Sequence, residues 1–379
     1  MPRPSPEEQI EFLVKIQRLL GEGRFVASYK FALLQALADL SVEKGDDSGE
    51  PLNLTASDIA EKFIQYYWRQ ALPLAAPTLD QSLILKQNTG QQAAVVNRVA
   101  NVREVVNGSL ARAKADPHLW IPLVSEVAEV IRVMPLWKLQ TIGQEVDDFL
   151  YPNKEVGSKV ELRSGVAYCL RQFHALIQDL IQGGWVRFIR SISTNQNLLG
   201  ETIDLREFLF GSERENLNIY REFLKDIQAG DCFYCRNRIP GTGDVDHFIP
   251  WVKYPVDLGH NFVLAHPSCN RHKRDYLAAE HHLEGWVERN NKYFDDLNGF
   301  FNDKGIIHDL PSSNQVTRWA YQQAASAQAH VWVLGDETRK IGSYWKSFID
   351  QEHFGLEEAA DRDDDEDPDN CDGSDKPLN

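Results

Sequence analysis

The sequence predicts a mainly α protein: a long helical N-terminal part, one small metal-stapled module, and further helices behind it. Three observations carry that prediction. Apolar residues recur at helical spacing through most of the first 200 residues. A Cys232-x-x-Cys235 pair is answered much later by His266-x-x-Cys269. Strand-like alternation is confined to the stretch between those two pairs.

The elements read in order. Ile10, Leu13, Ile16 and Leu20 share one helical face, and Tyr29 to Leu40 continues the same kind of pattern. Glu43–Asn53 is a polar loop rich in turn formers. Ser57-Asp58 starts a helix through Ile64, Tyr67 and Trp68; further helices are predicted over Gln91–Val106, Leu119–Met134 and Val166–Ile189. Ser212-x-x-Glu215 is a capping box, followed by Leu217, Tyr220, Leu224 and Ile227 on one face. Gly230 ends that helix and delivers the chain into Cys232. Downstream, Asp275–Asn290, Asn314–Leu334 and Gly342–Ile349 read as helices. No fixed-period repeat is visible, which argues against a solenoid. The expected division is a helical domain over 1–200, a capped helix over 201–230, the stapled module over 231–290, helices over 291–351, and an acidic tail over 352–379. That tail is too poor in apolar residues to offset ordering entropy and is expected to be disordered.

Composition narrows the function classes. A chain of 379 residues with 42% hydrophobic and 25% charged residues is ordinary for a soluble protein of two or three domains. No apolar run approaches the roughly 20 residues of a membrane span. MPRPSPEEQIEF lacks a basic n-region and an apolar core, so no secretory signal and a cytoplasmic address are expected. The net charge of −16 seems hostile to nucleic acid, yet residues 352–379 alone carry −10 of it. The remaining −6 is mild enough for local basic patches to bind phosphate. Of the five cysteines, Cys232, Cys235 and Cys269 belong to the stapled module, Cys169 falls in an apolar helical pattern, and Cys371 lies in the tail. Nothing there resembles a disulfide framework.

The chemistry is concentrated in Cys232–Asp275. Two residues between paired ligands let a tight turn aim both at one ion, so Cys232, Cys235, His266 and Cys269 suit a tetrahedral structural Zn²⁺. Inside the loop so closed, Pro240–Gly243 is a turn and Asp244–Pro250 a short strand carrying Asp246-His247. Asn261–Leu264 reads as its antiparallel partner, and Ser268-Cys269-Asn270 opens a helix. Strand, strand and helix around an ion make a ββα-metal unit.

These residues resemble the HNH endonuclease superfamily. Its pattern places an Asp-His or His-His pair on the first strand, an Asn on the second, and a His or Asn at the helix start. Here those positions are Asp246-His247, Asn261 and Asn270, with eight residues between the two asparagines as in the family. The chain departs in having Asn270 for the commoner His and His266 where a Cys is usual in the zinc clip. The resemblance implies a catalytic set of Asp246, His247, Asn261 and Asn270. Asp246 and Asn270 offer hard oxygens suited to Mg²⁺ or Mn²⁺. His247 would deprotonate an attacking water, with activity falling below about pH 6 as an imidazole protonates. Asn261 would bridge the strands or orient the imidazole.

Arg271, His272, Lys273 and Arg274 cluster at the helix and are candidates for holding DNA phosphates, with a solvated charged face as the competing reading. His281-His282 read as helix surface. Phe63–Arg69 mixes aromatics with a base, and core packing is favoured over base stacking. The Gly-Thr-Gly and Gly-Glu-Gly segments lack the flanks of a nucleotide loop. The expected function is a metal-dependent nuclease that nicks DNA, with RNA an open alternative substrate. The competing class is a catalytically silent, zinc-stapled module that binds nucleic acid or protein. A large helical chain with a C-terminal HNH module is similar in architecture to nuclease subunits of bacterial anti-phage systems such as Zorya and Septu. That likeness implies partner subunits, including a separate ATPase, and no membrane.

Overall fold

The computed structural model describes residues 3–74, 83–153, 157–196, 198–199, 204–211 and 217–349. Helices dominate, and the described strands form only two-stranded pairs. Two hydrophobic cores are present. The first is built from the N-terminal helices, and the second surrounds the hairpin of the stapled module and the helices behind it.

The helix Tyr29–Lys44 joins them. Every residue from Lys30 to Glu43 is buried, because FALLQALADL is apolar nearly all round and so packs on all sides. Its end reaches the second core, where Val42 belongs and where the helix Leu310–Ser326 packs against it. The orphan carbonyls of this helix end are met by Arg171, which is 1% exposed: Nη1 donates to Ser41, Val42 and Gly45 oxygens and Nε to Asp47. Trp319, from the second core, donates to the backbone oxygen of that same Arg171.

Other N-terminal elements follow local rules. Ser5 with Glu8 and Thr55 with Asp58 form capping boxes at Pro6–Glu22 and Ala56–Gln70. Leu52–Thr55 pairs antiparallel with Lys159–Leu162. In the Phe63–Arg69 stretch, Phe63, Ile64, Tyr67 and Trp68 are core residues, while Tyr66 is half-buried. The expected Val166–Ile189 helix is two, Val166–Gln172 and His174–Ser191, broken where Phe173 leaves helical geometry at φ −110°, ψ 22°.

One expectation fails outright. Asn314–Leu334 is not a single helix: the helix is Leu310–Ser326, and His330–Leu334 is a strand paired with Glu337–Lys340. Val331, Trp332 and Val333 are β-branched or aromatic, and Trp332 exchanges backbone hydrogen bonds with Leu277 and Ala279. For the same reason the helix expected over Asp275–Asn290 begins only at Glu280 and runs to Lys292. The capping box at Ser212–Glu215 and the acidic tail lie outside the described residues; the helix that follows the former is Asn218–Ile227.

Candidate metal centre and nuclease site

The approach to the site is set by two glycines. Gly230 (φ 78°) ends the Asn218–Ile227 segment, and a Cβ there would meet the Arg238 guanidinium at 2.8 Å. The chain then turns tightly: Cys232 N–H bonds Asn237 O, and Arg236 N–H bonds Cys232 O. Phe233 N–H donates to Leu264 O at 2.9 Å, which ties this knuckle to the second strand of the hairpin. Gly243 (φ 69°) then admits the chain to the first strand in a backbone conformation that side chains disfavour, and a Cβ there would crowd Leu264 and Ala265 at 3.1–3.2 Å.

The four soft donors meet where the spacing placed them. The ligand atoms of Cys232, Cys235, His266 and Cys269 all lie within 4.8 Å of one another, the one such cluster found among the described residues. His266 Nδ1 lies 3.2 Å from Cys235 Sγ, and its Nε2–H donates to Arg238 O at 3.0 Å. That second bond fixes the tautomer with Nδ1 free as a ligand. Burial, together with the Cys232 and Cys235 sulfurs, pushes the Cys269 thiol up to about 12. A dication is what would let three crowded sulfurs ionise together, so the donor set fits a structural zinc.

The hairpin itself pairs Asp244–His247 with Phe262–Ala265, Asp246 opposite Val263 and His247 opposite Phe262. The first strand stops at His247, short of the Pro250 expected. Asn261 ends it: its backbone oxygen accepts from Phe248 N–H, its Oδ1 accepts from Ile249 N–H at 2.7 Å, and its Nδ2 donates to Ile249 O at 3.0 Å. Asn261 sits in the turn Gly259–Asn261 rather than in the strand, and it bridges the two sides of the hairpin. That turn is held from behind. Arg289, 7% exposed, donates to the oxygens of Phe262 and His260, and Trp286 donates to His260 O. Burial pulls the Arg289 guanidinium down to about 9.

Neighbours in the strand take different partners, as alternation requires. Asp246, 9% exposed, accepts from Tyr234 O–H at 2.5 Å and from Lys273 Nζ at 3.0 Å. His247, half-buried, donates from Nε2 to Asp257 Oδ1 at 2.6 Å, with Trp251 edge-on at 5.6 Å and Phe262 at 4.7 Å. Asn270 stands in the helix Pro267–Lys273, and its side-chain amide lies 3.4 Å from Asp244 Oδ2, two residues before Asp246 on the same strand face. The hard-oxygen group is therefore wider than Asp246 and Asn270: it includes Asp244.

The basic cluster divides. Arg271, His272 and Arg274 are exposed; His272 Nδ1–H bonds Ser268 O and its Nε2 lies 3.7 Å from Asp336. Lys273 departs from expectation, being fully buried with Nζ on Asp246 and on His247 O at 2.8 Å. It is a brace of the strand and not a hand for DNA. His282 is likewise not surface. It is 2% exposed, stacks on Trp332 at 5.6 Å, donates to Val333 O, and is held down to about 4 chiefly by burial; His281 beside it is exposed.

Sequence reading missed Asp257, Asp244 and Tyr234. Asp257 sits ten residues past His247 in an irregular loop, where spacing says nothing about who meets whom. Asp244 stood in plain view two residues before Asp246, and period-2 alternation alone placed it on that residue's face.

A hairpin, a short helix that carries the last ligand of a Cys-Cys-His-Cys clip, and an Asp-His pair on the first strand define an HNH module of the zinc-clipped kind. Residues 232–275 match the family model for HNH endonuclease. The helical part matches a second family model, Domain of unknown function (DUF8808), over residues 9–206. That match spans more than half of the chain, which belongs to this family. No curated protein and no solved structure matches it. Among the described residues, no helix is long and apolar enough to cross a membrane.

Proposed function

We propose that this chain is a divalent-metal-dependent endonuclease that hydrolyses phosphodiester bonds of DNA, one strand per event. The observation that carries the reading is the His247–Asp257 pair. A carboxylate 2.6 Å from Nε2 holds the ring in one orientation and leaves the lone pair on Nδ1. Nδ1 takes a proton from water as the water oxygen forms a bond to phosphorus and the P–O3′ bond breaks. Asp244, Asp246 and Asn270 present oxygens of the kind that hold Mg²⁺ or Mn²⁺. Such an ion, when bound, supplies neutralisation of charge on the phosphate and the leaving oxygen. Lys273 and Tyr234 hold Asp246 in place, and Asn261 fixes the loop that carries Asp257 away from the strand.

The competing reading, a silent binding module, draws on the same Lys273–Asp246 pair, which satisfies one carboxylate oxygen without any ion. A role in defence against phage, with a separate ATPase subunit, rests on architecture alone; it predicts that expressing the chain with its partners lowers phage plating and that His247→Ala abolishes the effect.

The decisive experiment follows conversion of supercoiled plasmid to open circle and linear forms with Mg²⁺ or Mn²⁺. His247→Ala should lower the rate about 10²–10⁴-fold with zinc content unchanged, and open circle should precede linear product. Cleavage that survives both His247→Ala and EDTA would refute the assignment.

A further inference from the structure

Between the N-terminal helices and the loop that follows His247 lies a recess of about 800 Å³. Asp257 and Trp251, both in contact with His247, form part of its wall. Whatever occupies it therefore sits beside the proposed hydrolytic base. The size suits a small-molecule moiety and is far too small for a duplex.

The recess is charged, yet its charges are answered from within. Six carboxylates line it against four Lys and Arg side chains. Lys44 pairs with Asp58 at 2.7 Å, Lys62 with Glu43, and Lys114 with Glu61 at 3.5 Å. Asp39 holds His174 at 2.8 Å, and Arg69 donates to the backbone oxygens of Phe208 and Glu207. A net-negative wall with its cations engaged repels phosphate. The chemistry left for a visitor is side-chain amide and aromatic face: Gln35, Gln65, the amide oxygen of Gln178, whose Nε2 donates to Asp39 at 3.3 Å, and the rings of Tyr66 and Trp251, the Tyr66 hydroxyl being held by Asp39. One of these amides is unanswered. Gln35 is 5% exposed, and its Oε1 has no hydrogen-bond partner. A buried carbonyl oxygen in that state is free to accept from an N–H or O–H donor brought in from outside.

We infer that the recess receives one unstacked nucleobase of the strand being cut, next to the phosphate at His247. This rests on the nuclease reading and adds its substrate class: strands with an unpaired or extruded nucleotide, not fully paired duplex. Uncharged base edges satisfy amides, and every base has a face for Tyr66 or Trp251. The N-terminal family domain thereby becomes one wall of the substrate site, since Gln35, Gln65, Tyr66 and Gln178 all belong to it.

The test uses the full chain with zinc bound. Wild type is given matched duplexes that are fully paired, carry one unpaired nucleotide, or carry an abasic site there. Cutting beside the unpaired nucleotide should exceed cutting of the paired duplex by tenfold or more, and the abasic substrate should lose that advantage. Gln35→Leu and Gln65→Trp should bring the ratio to unity, while Gln35→Leu leaves thermal stability unchanged or raised. Equal cutting of all three duplexes by wild type overturns the inference. Should wild type cut nothing with any metal, the nuclease reading fails by itself. The recess is then judged by 2-aminopurine fluorescence in an oligonucleotide mixed with His247→Ala protein. A signal change abolished by Gln35→Leu supports the recess, and no change refutes it.

Discussion

The stapled hairpin carries two polar clusters built from the same forty-odd residues, and they are held together in opposite ways. In the clip, Cys232, Cys235, His266 and Cys269 face one another, and help from outside comes from backbone alone, the Arg238 oxygen on His266 and the Asn237 N–H on Cys235. In the proposed hydrolytic group, three members are anchored to something beyond the set, His247 to Asp257, Asp246 to Tyr234 and Lys273, Asn261 to the backbone of Ile249, while Asn270 and Asp244 meet each other. The clip is closed and self-referential, as a structural ion demands. The other is spread, hard in its donors and open on the His247 side towards a recess, as an exchanging substrate demands. Soft ligands at fixed short spacing suit the folding duty of a structural zinc, a duty the hard donors are not arranged to share.

Removing the metal is the most violent way to probe this difference. Stripping zinc with a strong thiol-competing chelator, or changing Cys232→Ser, should unfold the hairpin, because a structural zinc contributes on the order of 10 kcal/mol to such a module. The N-terminal core does not use those ligands. Near-UV circular dichroism and limited proteolysis should therefore show loss of the 232–275 region with the 9–206 region still protected. Loss of both regions together would mean that the contacts of Tyr29–Lys44 with the second core make one cooperative unit.

A gentler cut separates orientation from chemistry. Asp257→Asn keeps the shape of the loop and removes the charge behind His247. Cleavage should fall about 10–100-fold, as when an outer partner of a catalytic imidazole is lost, with zinc content and melting temperature unchanged. The loss should lie in kcat, since Asp257 acts on the ring rather than on substrate. A change confined to KM would move Asp257 to the substrate side of the site.

How much of this was legible in advance follows from the range of the interactions. The clip could be read because its ligands sit in pairs two residues apart, and the Asp-His pair because it lies within that frame. The partners that orient them could not. Asp257 and Tyr234 reach their targets across an irregular loop and a knuckle, and no periodicity links them. Lys273 looked like part of a basic patch because Arg271 and Arg274 flank it, yet one turn of helix is enough to turn it inward onto Asp246. The same limit explains His330–Leu334. Its alternation of valine and tryptophan was absorbed into the preceding helix, and only the pairing with Glu337–Lys340 and the backbone bonds to Leu277 and Ala279 decide for strand. Tyr66, by contrast, follows from counting: in a helix whose Phe63, Ile64 and Tyr67 fill the core, it must face elsewhere, and it faces the recess.

The finest form of the comparison lies between two histidines six residues apart. His266 has both ring nitrogens answered, by Cys235 Sγ and by Arg238 O. His260 is fully buried between Phe301 and His308, and neither ring nitrogen reaches a partner in good hydrogen-bond geometry, with the Asn298 side chain beside it favouring the protonated form. Burial, then the Arg289 guanidinium and His308, push it down to about 3. The sign of the linkage is fixed by which state binds the proton first. On acidification the unfolded chain protonates His260 near the ordinary imidazole value of about 6.5, while the folded chain does not. Stability from this group is intact above that pH and drains away as pH falls towards 3, by about 2 kcal/mol at pH 5. His260→Phe removes the titration. Comparing melting temperatures at pH 8 and pH 5, the variant should lose several degrees less than wild type on acidification. Equal losses would show that the folded His260 ring takes up its proton as readily as the unfolded one, with Asn298 or a water reaching it.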